Sequence, residues 1–277
     1  EVNVKALASE AFKALVSKLD FSTFLSPADL DRARRRSSGR QLGLGAEFFK
    51  VGRLSPLIVA RTFARKDETG SRKGLHAGDR VVTLAGESTI GLGAEDIRRI
   101  LGDQEPGEPV QVEIDRWGQS DTLNIVIRHK PVESPILFSE LLPGAIAYVR
   151  IPRFSSNTSA KLTEVVTDFG ERSGGLKGIV LDLRGNSGGL LEEAVKVVDL
   201  LVDDPGPPIV SQVSGGGRPG RKFPATAGRL ISCPAVVLVN RWSASASEVV
   251  AGALQDFGRA KIIGTTTYGK GVSQQRL

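Results

Sequence analysis

Apolar residues along this chain change their spacing twice, near residue 38 and near residue 131. Before the first change, Leu7, Phe12, Leu15, Val16 and Leu19 recur at helical spacing, which predicts a helix over 6–19, and Ser26-Pro27 opens a second short one. From Ser38 to Lys130 the period falls to two. Pro56–Phe63, Arg80–Leu84 and Val110–Ile114 read as strands between glycine turns, interrupted by one helix at Ala94–Leu101. Past Pro131, strands alternate with helices. Ala145–Ile151 reads as a strand, and Leu162, Val165, Val166 and Phe169 mark one face of the helix after it. Gly178–Leu183 and Ala235–Val239 are short apolar runs suited to strands buried on both sides. A helix marked by Leu191, Ala194, Val195, Val198 and Leu201 lies between them, and Ser245–Phe257 (helix) and Lys261–Gly264 (strand) close the series.

That order implies an α/β fold with a mostly parallel sheet, right-handed crossovers and flanking helices. At 277 residues the chain has room for two domains. The expected organisation is an N-terminal helical segment at 1–37 packing on the core, a β-rich domain at 38–131 and an α/β core domain at 132–277.

In an open parallel sheet, ligands bind beyond the carboxyl ends of the strands, where loops lead into helix N-termini. Three loops here meet that condition: Arg184–Gly189, Asn240–Ser245 and Thr265–Gly271. They hold Ser243-Ala244-Ser245-Ala246-Ser247-Glu248 and Tyr268-Gly269-Lys270-Gly271, a serine at the mouth of a helix and a lysine between glycines, with 270 − 245 = 25. A serine nucleophile most often takes histidine as its base, but the only histidines are His76 and His129, both well before the core segments. An activated Ser245 therefore calls for a lysine, and an amine can accept a proton only while neutral, in a closed and mostly apolar setting. The positive end of the helix dipole favours developing negative charge at Ser245. The Ala246 N–H would point to the same place, and Gly188 or Gly189 could supply the second oxyanion donor because no Cβ keeps their backbone away. Taken alone, each piece also has a plainer meaning. Ser245-x-x-Glu248 fits a capping box, and Gly269-Lys270-Gly271 fits an exposed turn. The latter is no phosphate loop, since the upstream glycine and following Ser or Thr are missing.

Composition narrows the rest. The formal charge of +6 is concentrated partly in Arg32, Arg34, Arg35, Arg36 and Arg40, with no interleaved aromatics to stack on bases, so the cluster reads as a solvated linker and no nucleic-acid partner is expected. Cys233 stands alone, which excludes an intrachain disulfide and a cysteine-based zinc site. No cofactor and no metal are expected. No run approaches 18 apolar residues, and Glu1 leads directly into amphipathic material, so neither a membrane span nor a signal segment is expected in a chain taken as already processed.

Within 38–131, three pieces resemble a PDZ domain: Leu42-Gly43-Leu44-Gly45 as the carboxylate-binding loop, Gly74-Leu75-His76-Ala77-Gly78-Asp79-Arg80 as the turn about thirty residues later, and Leu84-Ala85-Gly86 after it. Such a loop offers backbone N–H groups to a peptide's terminal carboxylate while the peptide adds a strand to an open sheet edge. Asp182–Gly189, Ser243–Glu248 and Tyr268–Gln274 together resemble the C-terminal processing, or tail-specific, serine proteases, which also carry a PDZ domain before the core. The resemblance implies a crotonase-like core, Ser245 as nucleophile, Lys270 as general base and Gln274 orienting the amine. It further implies protein or peptide substrates with free C-termini, room for an adaptor or a homodimer, and a bacterial periplasm, cell envelope or plastid thylakoid lumen. Ser187, Arg241-Trp242 and Val272-Ser273 depart from the family's common residues without removing a reacting atom. Family members continue past the point corresponding to Leu277, so a core lacking its C-terminal part is expected. The competing expectation is a catalytically silent peptide-binding module on the same scaffold; an acyl-thioester enzyme is a third, disfavoured by the PDZ-like segment.

Overall fold

The computed structural model describes residues 40–272, apart from 51, 63–73, 94, 95, 98, 99, 102–106, 129, 134, 204, 205, 214–216 and 227, together with positions 11, 14, 16, 30 and 34. Those five early positions are helical; the rest of the expected N-terminal segment lies outside the described residues. The chain divides into two compact units, one at Arg40–Pro135 and one built on Ile136–Leu277.

The first unit is antiparallel. β1 (Arg40–Gly43) pairs with β8 (Lys130–Glu133) in a ladder of its own. The main sheet runs β2 (Ala46–Phe49), β3 (Leu57–Thr62), β4 (Arg80–Leu84), β6 (Pro109–Asp115) and β7 (Leu123–Arg128), with β5 (Glu87–Ser88) paired to β4. The alternation in β6 sends Val110, Val112 and Ile114 into the core, where they meet Val59, Val81 and Leu84, while Gln111 and Asp115 face water. A buried carboxylate organises the turn at 74–79. Asp79 accepts the His76 N–H at 2.7 Å and two guanidinium bonds from Arg116, each at 2.8 Å. Arg116 also donates to the Gly74 carbonyl at 2.6 Å, so one ion pair locks both ends of the turn to the β6–β7 connection. Among the described residues β2 is the edge of its sheet, paired on one side only.

The second unit carries a five-stranded sheet. β10 (Ile146–Arg150), β11 (Gly178–Asp182), β14 (Ala235–Val239) and β15 (Ala260–Gly264) are parallel neighbours in that order, and β9 (Phe138–Leu142) closes one edge antiparallel to β10. The parallel strands follow one another in space as in sequence, so crossovers of one hand put α1 (Thr158–Ser173), α2 (Leu191–Asp199) and α3 (Ala246–Asp256) on a single face, each packed on the next. α1 buries the face expected of it, Leu162, Val165, Val166 and Phe169. Its start is capped from outside, because Glu193 at the opening of α2 accepts both the Ser159 N–H and its hydroxyl at 2.9 Å. Arg259, whose guanidinium burial holds below its ordinary pKa, donates to the carbonyls of Leu201, Ile231 and Cys233 and ties the loops beneath the sheet together.

One expectation is corrected. β11 and β14 are not buried on both sides: fully buried and half-buried positions alternate along them, with Ile179, Leu181, Ala235, Val237 and Val239 facing the helices. The helices among the described residues cover one face of this sheet, and its strands are fully buried only on that side, so a continuous apolar run does not here signal a strand enclosed on both. β9 and the separate hairpin of β12 (Val210–Val213) and β13 (Pro219–Phe223) were not expected; half of their residues are exposed and their apolar and polar residues do not alternate in sequence. Among the described residues, no helix is long and apolar enough to cross a membrane.

The Asp79–Arg116 pair gives the first prediction. Asp79→Ala would leave a guanidinium 11% exposed without its carboxylate, a loss of about 3–5 kcal/mol. Urea denaturation should show the first unit unfolding early; an unchanged midpoint would contradict the role given to the pair.

Candidate active site

The loops after β11, β14 and β15 meet at one rim of the core sheet. Asn186, in the first loop, is fully buried and uses every polar group it has. Its side-chain amide donates to the Ile151 carbonyl at 2.8 Å and its side-chain oxygen accepts the Gly188 N–H at 2.8 Å. Its own N–H donates to the Leu183 carbonyl at 3.0 Å, and its carbonyl accepts the Ala244 N–H and the Ser247 hydroxyl at 3.0 and 2.9 Å. The third loop joins through the Tyr268 N–H, which donates to the Ser243 carbonyl at 3.0 Å. Asn186 was missed from sequence. Its only signal is an amide directly after a glycine in a strand-end loop, a type able to donate and accept at once when buried.

Three alternating serines occupy the middle loop, and the structure separates them. Ser243 and Ser247 are fully buried, their hydroxyls donated to the carbonyls of Leu183 and Asn186 at 2.8 and 2.9 Å. Ser245 is half-buried at the N-terminus of α3 with φ 56° and ψ −116°, outside the regions a non-glycine residue favours, a conformation that costs about 1–3 kcal/mol unless the surroundings enforce it. Its hydroxyl oxygen faces the Glu248 N–H in a capping box, and among the described residues the hydroxyl is donated to no carbonyl. The Glu248 half of the box is firm: the carboxylate accepts the Ser245 N–H at 2.7 Å. Glu248 reaches further than a cap. It also accepts the Thr267 hydroxyl and the N–H groups of Gly269 and Lys270, at 2.8, 2.6 and 2.9 Å. Burial pushes its carboxyl up, but these four donors outweigh that and hold it below its ordinary value.

Gly188 lies against Ser245. A Cβ built on it would stand 2.9 Å from the Ser245 Cβ and 2.9 Å from the Ala244 carbonyl oxygen, and its φ of 105° is one side chains rarely adopt. At Gly189 the space is tighter, since a Cβ would fall 2.0 Å from the Phe154 carbonyl oxygen. The two glycines differ as donors. The Gly188 N–H is already given to Asn186, while among the described residues neither the Gly189 N–H nor the Ala246 N–H has a hydrogen-bond partner.

Lys270 is half-buried, its backbone tied to Glu248. Among the described residues the Ser245 hydroxyl and the Lys270 amine share no hydrogen bond, so what joins them is the Glu248 carboxylate. Gln274 lies outside the described residues. In the first unit, Leu42 and Gly43 end β1, Leu44 is buried in the core, and Gly45 takes φ 71° at the bend into β2. His76 is exposed, and His129 lies outside the described residues. No cluster of three or more His, Cys, Asp or Glu among the described residues could hold a metal ion.

Just beneath the rim, buried Asp182 accepts the Tyr148 hydroxyl at 2.7 Å and two guanidinium bonds from Arg184 at 2.9 and 2.7 Å. Burial raises its pKa, and Arg184 and Tyr148 more than reverse this, so the carboxyl sits below its usual range. The pair fixes the start of the 184–189 loop.

A strained serine whose hydroxyl is donated to no carbonyl, at a helix N-terminus and against glycine backbone on an α/β scaffold, is an arrangement that can support nucleophilic chemistry. The sequence profile described as Peptidase family S41 matches residues 145–277. The chain is 34% identical to the chloroplastic C-terminal processing peptidase of Tetradesmus obliquus, over 98% of this chain and 60% of that protein. It is 29% identical to the carboxy-terminal processing protease CtpA of Bacillus subtilis, over 97% of this chain and 56% of that one. The solved photosystem II D1 C-terminal processing protease superposes with a TM-score of 0.59 at 31% identity, covering 99% of this chain and 74% of that structure. A putative S41 protease structure from Bacteroides fragilis, at 18% identity and a TM-score of 0.55 over 84% of this chain and 66% of that one, shares the fold. The chain belongs to peptidase family S41. It spans about three-fifths of the length of the curated relatives it matches.

Asp182 provides a pH prediction. A carboxyl depressed in the folded state contributes its stabilisation in full above the unfolded value of about 4, and loses it as pH falls through the folded value. Asp182→Asn should therefore cost about 1–3 kcal/mol near neutrality. The gap to the wild type should narrow as pH drops from about 6 towards 3. Denaturant titrations at several pH values check this, and a gap that widens on acidification would contradict it.

Proposed function

We propose that this chain is a serine endopeptidase that cleaves protein substrates near their C-termini through an acyl-enzyme, with Ser245 and Lys270 as a catalytic dyad. The observation that carries it is the contrast among the serines: two spend their hydroxyls on buried carbonyls, and Ser245, in a strained conformation beside two unpartnered N–H groups, does not. The Ser245 Oγ attacks the scissile carbonyl carbon while Lys270 Nζ takes its proton. The oxyanion is held by the N–H of Ala246 and that of Gly189, chosen over Gly188 because the latter serves Asn186. Lys270 then returns the proton to the leaving amine as the C–N bond breaks; in deacylation Lys270 Nζ takes a proton from a water that attacks the acyl carbon, and passes it to Ser245 Oγ as the ester bond breaks. Gln274 aligns the lysine. The core is of the crotonase-like kind.

The unit at Arg40–Pro135 is proposed as a PDZ domain that binds the substrate tail. Its support is the bend at Leu44-Gly45 leading into β2, an edge strand among the described residues and so of the kind to which a peptide can add a strand. Leu42, Gly43, Leu44 and Gly45 offer backbone donors to the terminal carboxylate, and tail binding shifts the core from an open to a closed form in which the two reacting groups meet. An adaptor and a homodimer fit the same scheme. Kinship with bacterial and chloroplastic processing proteases favours the periplasm, cell envelope or thylakoid lumen.

Ser245→Ala and Lys270→Ala should each abolish digestion of an unfolded protein such as casein while leaving the circular dichroism spectrum unchanged. Full digestion by either variant would sink the dyad and leave the peptide-binding module as the better account. A peptide with a free C-terminus should bind more tightly than its amidated form by about 10- to 100-fold, as expected for charge-assisted hydrogen bonds. Equal affinity by fluorescence anisotropy would count against the carboxylate loop.

A further inference from the structure

Glu248 was read from sequence as a helix cap, and a cap needs only one oxygen. This carboxylate accepts four hydrogen bonds, matching the roughly four lone-pair sites it has. One oxygen, Oε2, is shared by the N–H of Ser245 at 2.7 Å and the N–H of Lys270 at 2.9 Å. The other, Oε1, takes the Thr267 hydroxyl at 2.8 Å and the Gly269 N–H at 2.6 Å. The donors come from two loops of the sheet rim, one before α3 and one after β15, and both backbones that bear reacting groups converge on a single atom.

We infer, on the assignment of Ser245 and Lys270 made above, that Glu248 is the positioning residue of the dyad: its carboxylate sets the distance between the nucleophile's backbone and the base's backbone, and holds Ser245 at positive φ. An amide serves both tasks less well. Glutamine has one acceptor oxygen: with that oxygen on the Ser245 and Lys270 N–H groups its NH2 opposes the Gly269 N–H, and turned over it opposes the other two, so a donor is left unsatisfied either way. Aspartate keeps both oxygens but is one methylene shorter, so it can serve some of the four donors and not all at once. A negative charge of purely electrostatic use would tolerate Asp and fail with Gln; a helix cap would tolerate both, since either side chain can accept the Ser245 N–H.

The test uses the whole chain and a fluorophosphonate probe, which reacts with an activated serine, and separates the maximal labelling rate from the probe's affinity. Glu248→Gln should lower that rate by about 100-fold, as for a misplacement of roughly 1 Å, with affinity changed little. Glu248→Asp should fall between Gln and wild type. Loss of folded protein would instead reduce the fraction labelled at completion and leave the rate of the remainder untouched. Wild-type rate in Glu248→Gln overturns the positioning role while the dyad stands. Absence of labelling in the wild type, or labelling that persists in Ser245→Ala, overturns the dyad itself. Should Glu248→Gln fail to fold, Thr267→Val decides: it removes one donor to Oε1 only, a several-fold slower rate supports the inference, and an unchanged rate overturns it.

Discussion

Backbone polar groups removed from water need partners, and at the rim of the core sheet that need is met largely by two side chains. Asn186 fastens the loop after β11 to the serine segment, and Glu248 fastens the serine segment to the loop after β15. Each occupies its polar atoms fully, so neither loop can move independently of Ser245 without stranding buried donors or acceptors. The strained φ of Ser245 is tolerable because the bonds around it over-determine its place. Fixing the loops this way would spare a reaction at this rim the entropy of assembling them.

The sheet beneath explains why such a rim exists. Parallel strands in sequential order deliver three loops to one end and leave the helices on one face, so the N-terminus of α3 and the glycines of the 184–189 loop are brought together by topology. Gly188 and Gly189 are required by approach distance, because any side chain there would meet Ser245 or Phe154. The first unit uses the same device in miniature. Asp79 and Arg116 satisfy a turn that glycines permit, and among the described residues the sheet beside it has β2 paired on one side only.

Much of the core was legible because its signals are local. The face Leu162, Val165, Val166 and Phe169 follows from a 3.6-residue period, and the loops at 184–189, 240–245 and 265–271 follow from strand ends and glycines. Other features had no local signature. β9, β12 and β13 exist through pairing, and their own residues alternate poorly. The one-sided burial of β11 and β14 depends on where three helices lie, which an apolar run cannot report.

The sequence alone determined the alternation of elements and the rim on which chemistry would fall, because periodicity, glycine placement and side-chain type are properties of neighbouring residues; the candidate pair Ser245 and Lys270 is what the motifs' family resemblance implies. Only the tertiary structure decided which of three serines donates its hydroxyl to no buried carbonyl, which of two glycines keeps a free N–H, and that a capping glutamate also grips the lysine's loop. Those outcomes turn on hydrogen bonds between residues tens of positions apart, and a buried donor or acceptor finds its partner in space, not along the chain.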